Sequence, residues 1–117
     1  MILRVWRAQI DGARADEYER FAREASLPMF QEQPGYRDVL FGRSDTECVV
    51  VTLWEDDEAV DSLDVSQSYL STVSRIRAAG FIAVELGVER FDVHDADLGI
   101  HNHGSRNQNA RRRSSFR

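Results

Sequence analysis

Three histidines, His94, His101 and His103, have the type and spacing that could serve metal chemistry. Imidazole nitrogens bind ions such as Zn²⁺, and residues two apart on an extended chain point to the same side. All three lie in or beside a polar C-terminal segment that we expect to be disordered, where nothing would hold a ligand geometry. We therefore expect no metal site and no bound cofactor.

The acidic run Asp56-Asp57-Glu58 and the single cysteine, Cys48, favour structural roles. The carboxylates stand where a helix is predicted to begin, and there they cap it and complement its dipole. Cys48 begins an apolar strand with no histidine nearby in sequence, so we interpret it as a packing residue. Since one cysteine allows no internal disulfide, a reducing, cytoplasmic location is expected. The sequence has no phosphate-binding loop and no dinucleotide fingerprint.

Charge divides the chain into two parts. All fifteen basic residues are arginines, and the net charge is −5. Residues 95–117 carry five arginines and two aspartates, a net charge of +3, which leaves −8 for residues 1–94. We predict one folded domain over 1–94 and a basic, disordered tail over 95–117. The acidic body argues against nucleic-acid binding, although Arg111-Arg112-Arg113 leaves a weak contact with an anion open.

In the N-terminal half, the spacing of the apolar residues changes once, from the period of a strand to the period of a helix. Residues 2–10 alternate like a strand, with Ile2, Arg4, Trp6, Ala8 and Ile10 on one face. A helical stripe follows, made of Tyr18, Phe21, Ala22 and Ala25. Because Pro28 disfavours helical geometry at Leu27, the helix is expected to end near Ser26 and to be followed by a short extra turn.

The second half begins with two strands, Tyr36–Arg43 and Thr46–Glu55, whose short link predicts an antiparallel hairpin. Val49-Val50-Val51 is apolar on both faces, which places this strand in the centre of the sheet. A helix capped by Asp56 or Asp57 is expected through Leu63. A second helix is expected between Ser66 and Gly80, with an inward face of Tyr69, Leu70, Val73 and Ile76. Residues 82–93 alternate as a last strand.

The order β-α-β-β-α-β predicts an α+β, ferredoxin-like fold, with an antiparallel sheet and helices on one face. The other face would be an exposed apolar surface too large for a monomer. We therefore expect a homodimer that pairs its open sheet faces about a two-fold axis. No apolar run approaches the ~20 residues of a membrane span, so no membrane partner is expected.

Three segments resemble the antibiotic biosynthesis monooxygenase (ABM) superfamily: Tyr18–Phe21, the turn Gln33-Pro34-Gly35, and the run from Val49 through Trp54 to Ala59. The resemblance covers residues 2–93. It implies a dimeric α+β barrel with a pocket in each subunit between helices and sheet. Members that form quinones need neither metal nor flavin, since their substrate, an electron-rich phenol, reacts with oxygen as the phenolate. Such a site would supply a dry cavity and donors for the oxyanion.

With this resemblance, the expected catalytic residues are Tyr69 and Arg75. Five residues are expected to contact substrate: Trp6, Phe21, Trp54, Leu63 and Val73. Arg7, Arg37 and Arg77 are further candidates for stabilising an anion, but Arg75 and Arg77 are two apart on a helix and cannot share a face.

The haem-degrading branch of the superfamily is disfavoured. Alignment on Trp54 places Leu63 and Val73 where that branch has a tryptophan and a haem-ligating histidine, and the first strand has no asparagine. We expect a cofactor-independent monooxygenase of a small aromatic or phenolic molecule. The alternative is a non-catalytic dimer of the same fold that binds a small ligand or is purely structural.

Overall fold

The computed structural model describes residues 1–99, and its elements follow the predicted order. They are β1 (Ile2–Ile10), α1 (Ala15–Phe21), α2 (Leu27–Gln31), β2 (Tyr36–Ser44), β3 (Glu47–Trp54), α3 (Asp57–Asp64), α4 (Gln67–Ala79) and β4 (Ile82–Asp92). The strands form one sheet in the order β2-β3-β1-β4, and every neighbouring pair is antiparallel. The predicted α+β, ferredoxin-like arrangement is confirmed. The predicted tail lies outside the described residues from position 100 onward, together with His101, His103 and Arg111-Arg112-Arg113.

The two central strands build the helix-covered face of the sheet. Along β1 the even-numbered residues are buried or half-buried, and Ala8 is completely inaccessible. On β3 the matching positions include Cys48 and Trp54, both also at 0% exposure. The central position predicted for β3 is confirmed, since it pairs with β2 on one side and β1 on the other.

The helix after β1 does not stop at Ser26 as expected. A π-helical segment, Ala22–Ser26, joins α1 to α2, and Leu27 keeps helical angles of φ −59° and ψ −52°. Pro28 lies in the first turn of α2, where its missing N–H would have no partner within that helix. The wider π turn re-registers the hydrogen bonds before the proline, so the chain continues through it.

Caps define the next two helices as predicted. The Asp56 carboxylate accepts a hydrogen bond from the Ala59 amide at 2.9 Å, and the Ser66 hydroxyl accepts one from the Tyr69 amide at 3.4 Å. Gly80 ends α4 in the left-handed conformation with φ +84°. Just before β2, Gly35 has φ +81°, and a Cβ there would overlap the Cβ of Ala59 in α3.

One residue of the predicted inward face of α4 is exposed. Leu70 has 47% of its surface accessible, whereas Thr72 is buried at 7%. The stripe that faces the sheet is Tyr69, Thr72, Val73 and Ile76. Thr72 satisfies its hydroxyl by donating to the carbonyl of Ser68 at 2.8 Å, so it tolerates burial, and Leu70 is rotated about 100° away from Tyr69.

Strand β4 does not alternate regularly along its length. Its pairing with β1 shifts between Arg7 and Ala8 and again between Gln9 and Ile10. Ala8 therefore faces Glu85, and Glu85 and Val88 both lie on the helix-covered side. The strict alternation expected for 82–93 is wrong, because the bulges change which face a residue occupies.

None of the helices among residues 1–99 is long and apolar enough to cross a lipid bilayer.

Candidate functional site

A cavity of about 60 Å³ lies between the covered face of the sheet and the helices. Its apolar walls come from both layers: Trp6, Met29, Phe30, Phe41, Val50 and Val73. Strands supply three of these side chains because alternate residues of β1, β2 and β3 point to the helices. The result is a largely apolar space with few polar groups.

The main polar feature of the cavity is the pair Arg4 and Tyr69. Arg4 lies on the covered face of β1 and is only 3% exposed. Its Nη2 donates a hydrogen bond to the Tyr69 hydroxyl at 2.8 Å, and the guanidinium stands 5.3 Å from the centroid of the tyrosine ring. Its Nε is buried and has no hydrogen-bond partner among the described residues. A buried cation with an unused donor favours an anion in this cavity.

The charge of Arg4 is only partly compensated by the protein. The nearest carboxylate is Asp64 at the end of α3, 4.0 Å from Nη2 and 49% exposed. Asp64 is shared with Arg90, which is directly opposite Arg4 on β4 and lies 3.5 Å from the other carboxylate oxygen. Like charges on facing positions of a sheet repel. Three acidic residues of α3, Asp57, Asp61 and Asp64, lie within 3.5 Å of Arg90, whereas Arg4 has only the long contact to Asp64.

The π-helical segment shapes the second wall. Ala22 and Ser26, its first and last residues, both line the cavity. A π turn widens the helix locally, and such turns are frequent at functional sites. Here it brings a small side chain and a hydroxyl to the edge of the aromatic space.

Tyr18 is a second tyrosine on the cavity wall, and its surroundings differ from those of Tyr69. It is 3% exposed and packs edge-on against Phe81, with the ring centroids 6.0 Å apart. Burial, together with the neighbouring Cys48, raises the pKa of the Tyr18 hydroxyl well above its usual range. Burial likewise raises the pKa of the Cys48 thiol. Both groups are therefore neutral at physiological pH, and Tyr18 is not suited to act as a base.

At the rim of the cavity lies Glu85, held by Arg77. The guanidinium of Arg77 donates two hydrogen bonds to this carboxylate, at 2.7 Å and 3.0 Å. The contact lowers the pKa of the Glu85 carboxyl and commits Arg77 to an ion pair. Glu85 is consequently an anion at neutral pH, so the charge that it brings to the cavity is opposite to that of Arg4.

Of the residues expected to form the site, Tyr69, Trp6 and Val73 line the cavity. Trp54 and Leu63 are elsewhere, in the main core, with no accessible surface. The Trp54 indole donates to Thr52 Oγ1 at 2.7 Å, and its ring packs against Phe30.

Phe21 and Arg75 lie together outside the cavity walls. The Arg75 guanidinium stands 5.4 Å from the centroid of the Phe21 ring, and the arginine is exposed. Phe21 belongs to the smaller apolar cluster around Phe81. The two residues form a surface cation–π pair.

Sequence reasoning overlooked Arg4 as a candidate. A signal was present, since Arg4 is the only charged residue on the face of β1 that also carries Ile2, Trp6, Ala8 and Ile10. A charge within a buried stripe is rare unless it is paired or functional. Its partner, however, is 65 positions away in sequence.

No group of three side chains within residues 1–99 has the arrangement needed to hold a metal ion. His94 has 92% of its side chain exposed, and its Nδ1 lies 3.3 Å from the carboxylate of Asp95.

Several solved structures share this fold. SnoaB from Streptomyces nogalater, a cofactor-independent oxygenase, superposes with a TM-score of 0.65 at 22% identity over 81% of this chain and 94% of its own. A Deinococcus radiodurans protein named as an antibiotic biosynthesis monooxygenase gives a TM-score of 0.67 at 8% identity, over 83% and 96% of the two chains. NE2512 from Nitrosomonas europaea, a protein of unknown function, gives 0.69 at 14% identity, over 83% and 92%.

No family model matches the sequence, and no curated protein sequence matches it either. At these identities the likeness to the solved structures concerns the fold. The chain thus has the fold of the ABM-like proteins, as the resemblance in its sequence implied.

Proposed function

We propose that this protein is a cofactor-independent monooxygenase that oxidises a small phenol in the cavity beside Tyr69. One observation carries the proposal: the Tyr69 hydroxyl accepts a hydrogen bond from the buried guanidinium of Arg4 at 2.8 Å. The reaction class is supported by SnoaB, a cofactor-independent oxygenase of the same fold. Trp6 and Phe41 provide aromatic walls for a phenyl ring.

The Arg4–Tyr69 pair has the chemistry of an oxyanion site. Because the tyrosine oxygen accepts from Arg4, the hydroxyl hydrogen of Tyr69 remains available to a substrate oxygen. The positive charge of Arg4 makes that hydrogen a stronger donor and favours the phenolate over the phenol. In a cavity with few polar atoms these effects are larger than in water.

The reaction balances with molecular oxygen as the only co-reactant. A phenol with a free para C–H is converted to the para-quinone, and water is released. One oxygen atom enters the quinone carbonyl and the other leaves as water with the two hydrogens lost by the phenol. The phenolate supplies the electrons. The protein binds the ring, excludes water, and holds the negative oxygen on Arg4 and Tyr69 while the phenolic proton leaves.

The size of the cavity limits the substrate. A cavity of about 150 Å³ holds benzene in a protein core, and the cavity here is about 60 Å³. A ring enters fully only if wall side chains move, and Met29, unbranched and flexible, is the wall residue best suited to do so. The proposed substrate therefore places a single ring in the cavity.

The small volume also favours a second candidate function. A cavity that accepts a ligand without bringing it to reaction would make the protein a non-catalytic, small-ligand-binding or structural dimer. The two candidates separate in one comparison, because the oxygenase consumes oxygen in proportion to quinone formed and the binding protein does not.

We also propose that the protein forms a homodimer through the uncovered face of its sheet. Register places Leu3, Val5, Leu40, Val49, Val51, Leu53 and Phe91 on that face. Leu40 is 55% exposed and Phe91 47% exposed. A contiguous apolar surface on a single subunit is a common mark of an interface. With its lone cysteine reduced, such a dimer suits the cytoplasm.

Oxygen uptake tests the oxygenase. The purified protein is mixed with 2,6-dimethoxyphenol or 1-naphthol, each with a free para position, and dissolved oxygen and quinone absorbance are followed against an enzyme-free blank. Tyr69→Phe removes the donor and is expected to lower kcat about 10²–10³-fold. Tyr36→Phe, which deletes a hydroxyl outside the cavity, is the matched control and should stay within about twofold. Uptake equal to the blank, or equal rates for wild type and Tyr69→Phe, would refute the proposal.

A further inference from the structure

A second hollow, of about 320 Å³, opens at the surface between the π-helical segment and β2. Three residues line both this groove and the cavity: Tyr18, Ala22 and Phe41. A residue that lines two spaces is the partition between them. The buried cavity and the surface groove are therefore separated by one layer of side chains.

Ala22 is the smallest member of that partition. It is 6% exposed and begins the π-helical segment, with the two aromatic rings completing the layer. An alanine has one methyl group where most helix residues carry a long side chain. This position, which we call the neck, is consequently the thinnest part of the layer between the two spaces, and a larger residue there would thicken it.

The groove is apolar on its walls and charged at its rim. Leu27 and Phe41 supply apolar surface, whereas Glu19, Arg23 and Arg43 are charged. Arg43 already has partners within the protein, since its Nε donates a hydrogen bond to Glu19 at 2.7 Å and its Nη1 donates one to the backbone carbonyl of Asp45 at 2.7 Å. Arg23 forms no ion pair with any residue from 1 to 99. The rim thus offers one free positive charge.

We propose that the cavity and the groove form one elongated site, whose ligand is an aromatic molecule of two linked rings ending in a carboxylate. The hydroxyl-bearing ring would lie against Tyr69, the second ring would pass Ala22 into the groove, and the carboxylate would reach Arg23. The inference rests on the proposed function for the orientation of the first ring. It provides a second space for the part of an aromatic ligand that a cavity of about 60 Å³ cannot hold.

Calorimetric titration with three probes tests this two-part site. The probes are phenol, 4-phenylphenol and 4′-hydroxybiphenyl-4-carboxylate, which add first the second ring and then the charge. Wild type is expected to bind 4-phenylphenol at least tenfold more tightly than phenol, and the carboxylate about threefold more tightly again, since an exposed ion pair contributes little.

Two variants separate the neck from the charge. Ala22→Leu should lower the preference for 4-phenylphenol over phenol at least tenfold. Arg23→Gln, an exposed change that spares the core, should lower affinity for the carboxylate about threefold and leave 4-phenylphenol unchanged. Arg20→Gln, an exposed arginine on the same helix outside the groove, is the control and should change neither.

Equal affinity of wild type for phenol and 4-phenylphenol would overturn the inference, as would equal effects of Arg23→Gln on both biphenyl probes. Failure here is distinguishable from failure of the oxygenase. Oxygen uptake without any gain from the second ring refutes the elongated site alone. Tight binding of the biphenyl probes without oxygen uptake by any phenol refutes the oxygenase alone.

Discussion

Replacing Arg4 with methionine is expected to remove function while leaving the fold as stable as before or more stable. The substitution exchanges a side chain that is 3% exposed for an uncharged, unbranched and apolar one. A residue retained for folding behaves in the opposite way, because its loss destabilises the protein. The measured sign of the stability change therefore distinguishes a functional charge from a structural one.

The magnitude follows from the contacts of Arg4. Its loss removes one charge-assisted hydrogen bond, to Tyr69 at 2.8 Å, which is worth about 1.5–3 kcal/mol. Because Tyr69 is only half-buried, water can replace part of that bond. Against this loss stands the desolvation of a buried ion, which is several kcal/mol. The ion pair with Asp64 is long, at 4.0 Å, and Asp64 retains Arg90.

Removal of Arg4 also relieves its repulsion with Arg90 on the neighbouring strand. The sum predicts a change in unfolding free energy between zero and a gain of about 2 kcal/mol, a range that overlaps the one found when buried ion pairs are replaced by well-packed apolar groups. Phenol binding and oxygen uptake should both be lost.

Urea denaturation followed by far-UV circular dichroism, at one fixed protein concentration, measures this change. The control is Arg90→Met, which removes a surface arginine that is 36% exposed and bound to Asp57 at 2.9 Å. Its exposed ion pairs predict a loss of at most about 1 kcal/mol. A loss above about 2 kcal/mol in Arg4→Met would show that Arg4 is a compensated structural charge, and the argument for an anion site would fail.

Gly35→Ala is expected to cost about 2–4 kcal/mol in urea denaturation, because φ is +81° and the new Cβ overlaps Ala59; Gly87→Ala, with no neighbour within 4 Å, should cost less. Alkaline stability depends on Tyr18, whose raised pKa makes its contribution complete below the unfolded pKa of about 10 and lost as pH rises. Tyr18→Phe should therefore flatten the decrease in unfolding free energy between about pH 10 and 12, a range free of lysine titration in this chain; an unchanged slope would contradict the assignment. In light scattering the wild type should have about twice the chain mass of 13.4 kDa, and Val51→Asp, on the open face, should be monomeric; a monomeric wild type at micromolar concentration would refute the dimer.

Local patterns predicted the elements because their causes are local. The alternation in β1 and the apolar run in β3 predicted strands, and the short link after Ser44 predicted a hairpin. Asp56, Ser66 and Gly80 act on backbone groups within a few residues of themselves. The order of these elements then leaves few sheet topologies, and the ferredoxin-like one is the simplest.

Departures from the prediction arise where distant residues compete with local preference. The helical conformation continues past Pro28 because the helix packs against the sheet. The π turn before the proline cannot be predicted from the preferences of single residues. The bulges of β4 depend on its register against β1, which reverses the face of Glu85 relative to a regular strand. Leu70 is exposed because Thr72 is better placed against the sheet.

The candidate site was the least predictable part. Tyr69, Trp6 and Val73 became candidates because the family resemblance implied a pocket and the residue spacing placed them on faces directed toward it, and all three lie on the cavity wall. Only the tertiary structure brings Arg4 to Tyr69, since 65 residues separate them and the contact requires β1 to lie beneath α4. The physical reason is general: periodicity records which side of an element is buried, whereas a site depends on which buried sides face one another.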